Sequence, residues 1–298
     1  MKKGIKAGKF NWLLIIILVL LTLYTVSLLF PIFWSAMTSF KDPVKDYYLP
    51  SHKIDFPKAW SLMNYKTAWI YSYVPVYRDN QPTLYFNIVQ QFGNSLLYSI
   101  GCAAAATFVP CLVSYIVARY RYKFLEFIYA IVIVTMALPV VGSLPSEIQV
   151  SKALGIFDTF WGLWIMKANF LGVYFLVFYA QFKMIPKDYT EAAKIDGASN
   201  FRVMVQVIMP LAVSTISTVF LLTFIAYWND YQIPMIYLPS HPVAAYGIYM
   251  FYNNKANQIQ NTPTQLAGMW LTALPIIVVF LIFQDKLVVN MSIGGLKG

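Results

Sequence analysis

The sequence predicts an all-α polytopic membrane protein with six transmembrane helices, and two observations carry that prediction. The 298 residues are 59% hydrophobic and only 11% charged, with a mean hydropathy of +0.60, whereas a soluble domain carries about 25% charged residues. The apolar residues also gather into long runs that do not alternate with polar ones. Inside hydrocarbon only helices and closed barrels satisfy every backbone group, and unbroken runs select helices.

The first run, Trp12 to Ile32, follows Lys2, Lys3, Lys6 and Lys9. It is too long for a signal-peptide core and lacks a small-x-small cleavage site, so it reads as an uncleaved span. Further spans are expected at 93–118, 124–145, 160–183, 209–233 and 267–289, each long enough to cross a bilayer. The second contains "GCAAAATF", whose small residues let helices approach closely. Pro139, Pro145 and Pro275 mark kinks or ends of spans three and six. Cys102 and Cys111 share one predicted helix, roughly 13 Å apart along its axis, so they read as packing residues rather than a disulfide.

Orientation follows from the basic residues. The N-terminal lysines, then Arg119, Arg121 and Lys123, then Lys183, Lys187, Lys194 and Arg202 all fall on one side of a six-span chain. The positive-inside rule makes that side cytoplasmic, with both termini. Residues 41–92 carry six Lys/Arg on the other side, but the segment is long and holds four Asp. A short helix is expected in it near Ala59–Trp69, and residues 235–264 read as an ordered outer loop or a solvated connector. The net charge of +10 therefore serves topology, and no nucleic-acid partner is expected.

Enzyme chemistry has no foothold. "GIKAGKF" has the wrong glycine spacing for a phosphate loop and Phe10 where Ser or Thr should stand. His52 and His241 are far apart, and no G-x-S-x-G elbow occurs. Lys167, in span four, snorkels outward or pairs with another helix, or else lines a polar pathway. Trp228, Asn229 and Asp230 close span five, where they suit sugar hydroxyls and ring faces or an interfacial belt.

The polar segment 186–210 stands apart. Asp188 is expected to cap a helix over 189–196, with Glu191 completing a capping box. Gly197 would end that helix in the left-handed conformation, and Ser199 would cap a second one running to Pro210. Ala192 and Ala193 would leave a flat face for close contact, either with a partner or beside the lipid surface.

"EAAKIDGASNFRVMVQVIMP" resembles the EAA signature of permease subunits of bacterial ABC importers, which reads Glu-Ala-Ala, three residues, Gly, nine residues, aliphatic, any, Leu, Pro. Glu191, Ala192, Ala193, Gly197, Val207 and Pro210 match, with Met209 in place of Leu. Asp196-Gly197-Ala198, "NSLLYS", "FIAYWNDY" and the terminal "GGLKG" resemble the carbohydrate-importing, MalG-like branch, over about residues 90–298. The chain departs from that pattern in a long first outer loop and at Asn290.

The resemblance implies a type I importer permease (MetI-like) fold in the bacterial cytoplasmic membrane. An N-terminal helix and outer loop over 1–92 would precede a five-helix core over 93–298. It implies a second permease subunit, two cytoplasmic ATPase subunits that bind the ATP and Mg, an extracytoplasmic solute-binding protein, and no cofactor in this chain. Glu191, Ala192, Ala193, Asp196, Gly197, Ala198, Phe201 and Pro210 would couple to the ATPase, and Gly295 and Lys297 in the tail would reach it too. A peptide or polyamine importer, or a self-contained secondary transporter, is the alternative.

Overall fold

The computed structural model describes residues 12–78, 81–138, 142–253 and 261–293. Packing divides them into two units, 12–71 with 261–271 and 72–253 with 272–293.

The first unit begins with α1 (Trp12–Ser39), whose apolar side chains are exposed until Met37, Thr38 and Ser39 become buried. Lys41 is fully buried and its Nζ donates to the carbonyls of His52 (2.6 Å) and Lys53 (3.2 Å). This lysine, at least, is a structural tie rather than a topological charge. α2 (Met63–Tyr71) forms slightly later than expected. Its Asn64 donates to the carbonyls of Ser39 (2.8 Å) and Lys41 (2.7 Å), and Thr264 donates to Asn64 Oδ1 (3.2 Å). One buried amide thus joins the end of α1, α2 and the start of α13 (Thr262–Ile293).

The second unit opens with an antiparallel hairpin, β1 (Val74–Arg78) and β2 (Gln81–Phe86), with an irregularity at Val76/Tyr77. The chain is therefore mostly helical rather than all-α. Gln91 closes the hairpin onto the next helix, donating to the carbonyls of Ser72 and Phe86 (both 2.9 Å). That helix, α3 (Ile88–Arg119), starts at a capping box between Asn87 and Gln90. It packs against α4 (Lys123–Ala137), α6 (Phe160–Lys167), α7 (Val173–Met184), α10 (Met209–Trp228) and α12 (Ala244–Asn253). The small residues of α3 permit this. Gly101 lies under the Trp164 indole, whose Nε1 donates to the Leu97 carbonyl (3.2 Å), and Ala103 is buried beside Phe224 and Trp228. Cys102 and Cys111 are free and buried.

Two expected spans are interrupted. The run over 124–145 forms helix only to Ala137, and α5 (Leu144–Ala153) opens with Pro145 in its first turn; Pro139 lies outside the described residues. The run over 160–183 is split into α6 and α7, with Ala168 to Gly172 outside either helix. Among the described residues, four helical stretches are long and apolar enough to cross a membrane: Trp12–Ser39, Ile88–Arg119, Asn200–Trp228 and Thr262–Ile282.

A Cβ at position 101 would collide with the Trp164 indole. Gly101→Val is expected to cost about 1–3 kcal/mol by overpacking, read as a lower thermal midpoint of the detergent-solubilised protein. A midpoint equal to wild type would show that Trp164 swings aside freely.

Candidate functional site

The polar segment folds as a helix, an elbow and a second helix. α8 (Asp188–Ile195) begins one residue earlier than expected. Lys187 already has helical angles, and its carbonyl accepts from the amides of Thr190 (2.8 Å) and Glu191 (3.0 Å). Asp188 therefore stands in the first turn and forms no capping box. Asp188 and Glu191 both sit where the positive end of the helix dipole favours carboxylates.

At the other end Gly197 takes φ +79°. Its amide donates to the Lys194 carbonyl (3.0 Å) and that of Ala198 to Ala193 (2.9 Å), the paired bonds of a Schellman stop. Ser199 then caps α9 (Asn200–Arg202), accepting from the Arg202 amide at 3.3 Å. A π-helical stretch, Val203–Ile208, leads into α10, with the Met209 amide donating five residues back to Met204. Pro210 explains the wider turn. A proline has no amide and crowds the carbonyl four residues behind it, so an α-helical ladder cannot run through unchanged.

One side of this segment rests on a core of Cys111, Tyr115, Phe178, Phe182, Ile185, Val203, Ile208, Ala212 and Val219, against which Ala193 and Ala198 pack. The two alanines of the pair thus divide: Ala193 faces the core, and Ala192 is exposed. The other side presents Glu191 and Asp196, together with Ile195 (86% exposed), Phe201 (71%) and Tyr189 (49%). An apolar surface this open, on a helix anchored from behind, is suited to docking.

A cleft of about 880 Å³ opens where α6 and α7 are interrupted. Lys167, the last residue of α6, lines it with Asn169 and Gly172 from the break, Tyr174 from α7, Ser146 and Glu147 from α5, and Thr223 and Tyr227 from α10. The Lys167 carbonyl accepts from the Asn169 amide (2.8 Å), while its Nζ makes no hydrogen bond or ion pair among the described residues. Glu147 Oε2 accepts from Tyr237 Oη at 3.2 Å.

Trp228, Asn229 and Asp230 do not line this cleft. Trp228 is buried, stacked on Phe92 (6.3 Å) and beside Phe224 (5.9 Å). The Asn229 amide group donates to the Ile225 carbonyl (2.9 Å) at the end of α10. Asp230 Oδ2 accepts from Tyr98 Oη (2.8 Å), and its Oδ1 from the amides of Gln232 (3.0 Å) and Ile233 (3.2 Å) where α11 (Gln232–Tyr237) begins. Gly295 and Lys297 lie outside the described residues. Glu147, Asn169 and Tyr227 were missed from sequence. Asn169 and Gly172, polar and flexible inside an apolar run, were the available signal.

The chain is similar over nearly its whole length to known permeases. It is 28% identical to the inner membrane ABC transporter permease protein YcjP of Escherichia coli, covering 93% of this chain and 94% of that one. It is 24% identical to the maltodextrin transport system permease protein MdxG of Bacillus subtilis, covering 93% and 94%. It is 25% identical to the diacetylchitobiose uptake system permease protein NgcG of Streptomyces coelicolor, covering 92% and 86%. Its fold is similar to a chain of a bacterial ABC transporter involved in the import of the acidic polysaccharide alginate, with a TM-score of 0.74 at 20% identity over 94% of this chain and 99% of that one. A profile of one family matches residues 111–291, more than half of the sequence, and the chain belongs to that family, the binding-protein-dependent transport system inner membrane components.

Proposed function

We propose that the chain forms half of the translocation pore of an ATP-driven carbohydrate importer, with α8 as its point of contact with the ATPase. The chain is a multi-pass protein of the cytoplasmic membrane and a permease rather than an enzyme. The carbohydrate reading is supported by relatives named for maltodextrin and diacetylchitobiose. ATP and Mg would be bound by two ATPase subunits, and a second permease would complete the pore. A solute-binding protein would deliver substrate from outside.

The observation that carries the coupling role is the two-sided packing of α8. Ala193 and Ala198 sit on a core shared by residues of α3, α7 and α10, while Glu191, Ile195 and Phe201 face outward. A partner that moves the outward face must also move that core. ATPase closure would then bias the membrane helices between two arrangements, because the docked surface differs between the open and closed ATPase dimer.

The six crossings in this reading are α1, α3, α4, the broken α6–α7 pair, the stretch Asn200–Trp228, and α13. Both termini and α8 lie in the cytoplasm, and the hairpin lies outside. A reentrant or broken crossing is tolerated where its free backbone is covered by protein or lines a polar space.

Glu191→Lys and Gly197→Asp are expected to abolish binding-protein-dependent uptake in vesicles while membrane insertion persists. The first reverses the charge on the docking face. The second places a side chain at φ +79°, which costs about 1 kcal/mol and disturbs the elbow. ATPase co-purification and uptake measured together check this, and normal coupled uptake in both variants would sink the assignment. Orientation is checked separately with a membrane-impermeant maleimide. Leu84→Cys should react in intact cells and Ile195→Cys only after permeabilisation, both side chains being exposed and the native cysteines buried. The reverse pattern would invert the topology.

A further inference from the structure

We propose that the cleft at the α6–α7 break is a carbohydrate site carried by this chain itself, which takes a neutral glycosyl unit. The proposal deepens the importer reading above and rests on it.

The cleft has the size of a ligand site, since such sites span about 300–1,000 Å³, and it measures about 880 Å³. It also holds hydrogen-bonding groups that the fold leaves free. Lys167 has neither a carboxylate nor a carbonyl partner among the described residues, and a lone cation in a crossing segment is costly unless it serves a ligand or pathway. Glu147, on the facing helix, forms no ion pair with it. The only bond it accepts among the described residues is the one from Tyr237, which leaves capacity on its carboxylate. Pro110, inside α3, has no amide to donate to the Ala106 carbonyl four residues back, and both residues line the cleft. α7 begins in the same wall without a side-chain cap.

Charge balance selects the ligand class. Lys167 only donates and an ionised Glu147 only accepts. An anionic ligand would satisfy the lysine but be repelled by the glutamate, and a cationic one would meet the opposite problem. A hydroxyl both donates and accepts, so a neutral polyol uses the two side chains together. Tyr174, Tyr227 and Phe170 supply aromatic surface for the apolar faces of a sugar ring. The same groups explain why the crossing can be broken here, because irregular backbone at membrane depth is found where it lines a substrate site.

The test uses the complete importer in vesicles with its binding protein. The probes are radiolabelled neutral trisaccharides (malto-, cello-, xylo- and arabino-) and a trigalacturonate. The trisaccharide that wild type accumulates is then followed in Lys167→Met, Glu147→Gln and Val150→Trp. The glutamine keeps an acceptor for Tyr237, and Val150 lines the cleft with a side chain 57% exposed, so both variants should assemble, as subunit co-purification would verify. Each substitution is expected to lower uptake about tenfold or more, the size of one lost charge-assisted hydrogen bond or a blocked site. Uptake within about twofold of wild type in Glu147→Gln and Val150→Trp, with wild type active, would overturn the cleft assignment alone. Preferred wild-type uptake of the trigalacturonate would overturn the neutral class. A wild-type importer that accumulates none of the sugars would overturn the carbohydrate reading, and this assignment with it.

Discussion

A peptide group in hydrocarbon has no water to bond, so a chain this apolar must close its backbone hydrogen bonds within each crossing segment. α1, α3, the stretch Asn200–Trp228 and α13 obey this over long lengths. Three departures among the described residues bear on the two candidate sites. Residues 168–172 leave the helix beside the cleft that Lys167 and Asn169 line. Residues 196–199 leave it at the elbow between α8 and α9, where Gly197 and Ser199 satisfy the freed groups locally. Val203–Ile208 widens to a π turn before Pro210.

α3 is the element against which these departures are organised. Along its length Gln91 holds the hairpin, Tyr98 holds Asp230, Gly101 admits Trp164, Thr107 meets Thr223 at 3.3 Å, and Tyr115 packs edge-on against Phe182. Each contact joins α3 to a different part of the second unit. Three of them, at Tyr98, Gly101 and Thr107, depend on a hydroxyl or on a missing side chain, as helix pairs in membranes prefer. Trp228, Asn229 and Asp230 belong to this framework. The polarity of Asn229 and Asp230 is spent on fixing the end of α10 and the start of α11.

Much of this was legible because it depends on local chemistry. Long apolar runs predict α1, α3, α10 and α13, and Gly197 and Ser199 predict the elbow, since both are decided within a few residues. Asp188 was misplaced by one position because capping depends on the backbone of Lys187, which no side-chain pattern reveals. The split of span four was hidden because the hydropathy of 160–183 averages over Asn169 and Gly172. The hairpin was missed although Val74 to Tyr77 and Thr83 to Phe86 are rich in strand-forming residues, because a two-stranded piece gains its stability from what it packs on. The cleft was illegible for a different reason. Glu147, Lys167 and Tyr227 come from three helices, and only tertiary packing brings them to one space.

The cleft and the proposed coupling segment are nonetheless joined through α10. α10 enters from the π turn at Met209 and carries Thr223 and Tyr227 into the cleft, roughly 27 Å of continuous helix between its first residue and Tyr227. A regular helix of that length is stiff along its axis, so its two ends cannot be displaced separately. The π turn and the Gly197 elbow both lie between α8 and α10. In the proposed coupling, motion imposed on α8 would pass to α10 through the core that Ala193 and Ala198 share with Ala212 and Val219. It would then alter where Thr223 and Tyr227 stand relative to Lys167 on the other wall. The proposed carbohydrate site would have its two walls on different rods, one tied to α8, which is the geometry needed to hold a ligand in one arrangement and release it in the other.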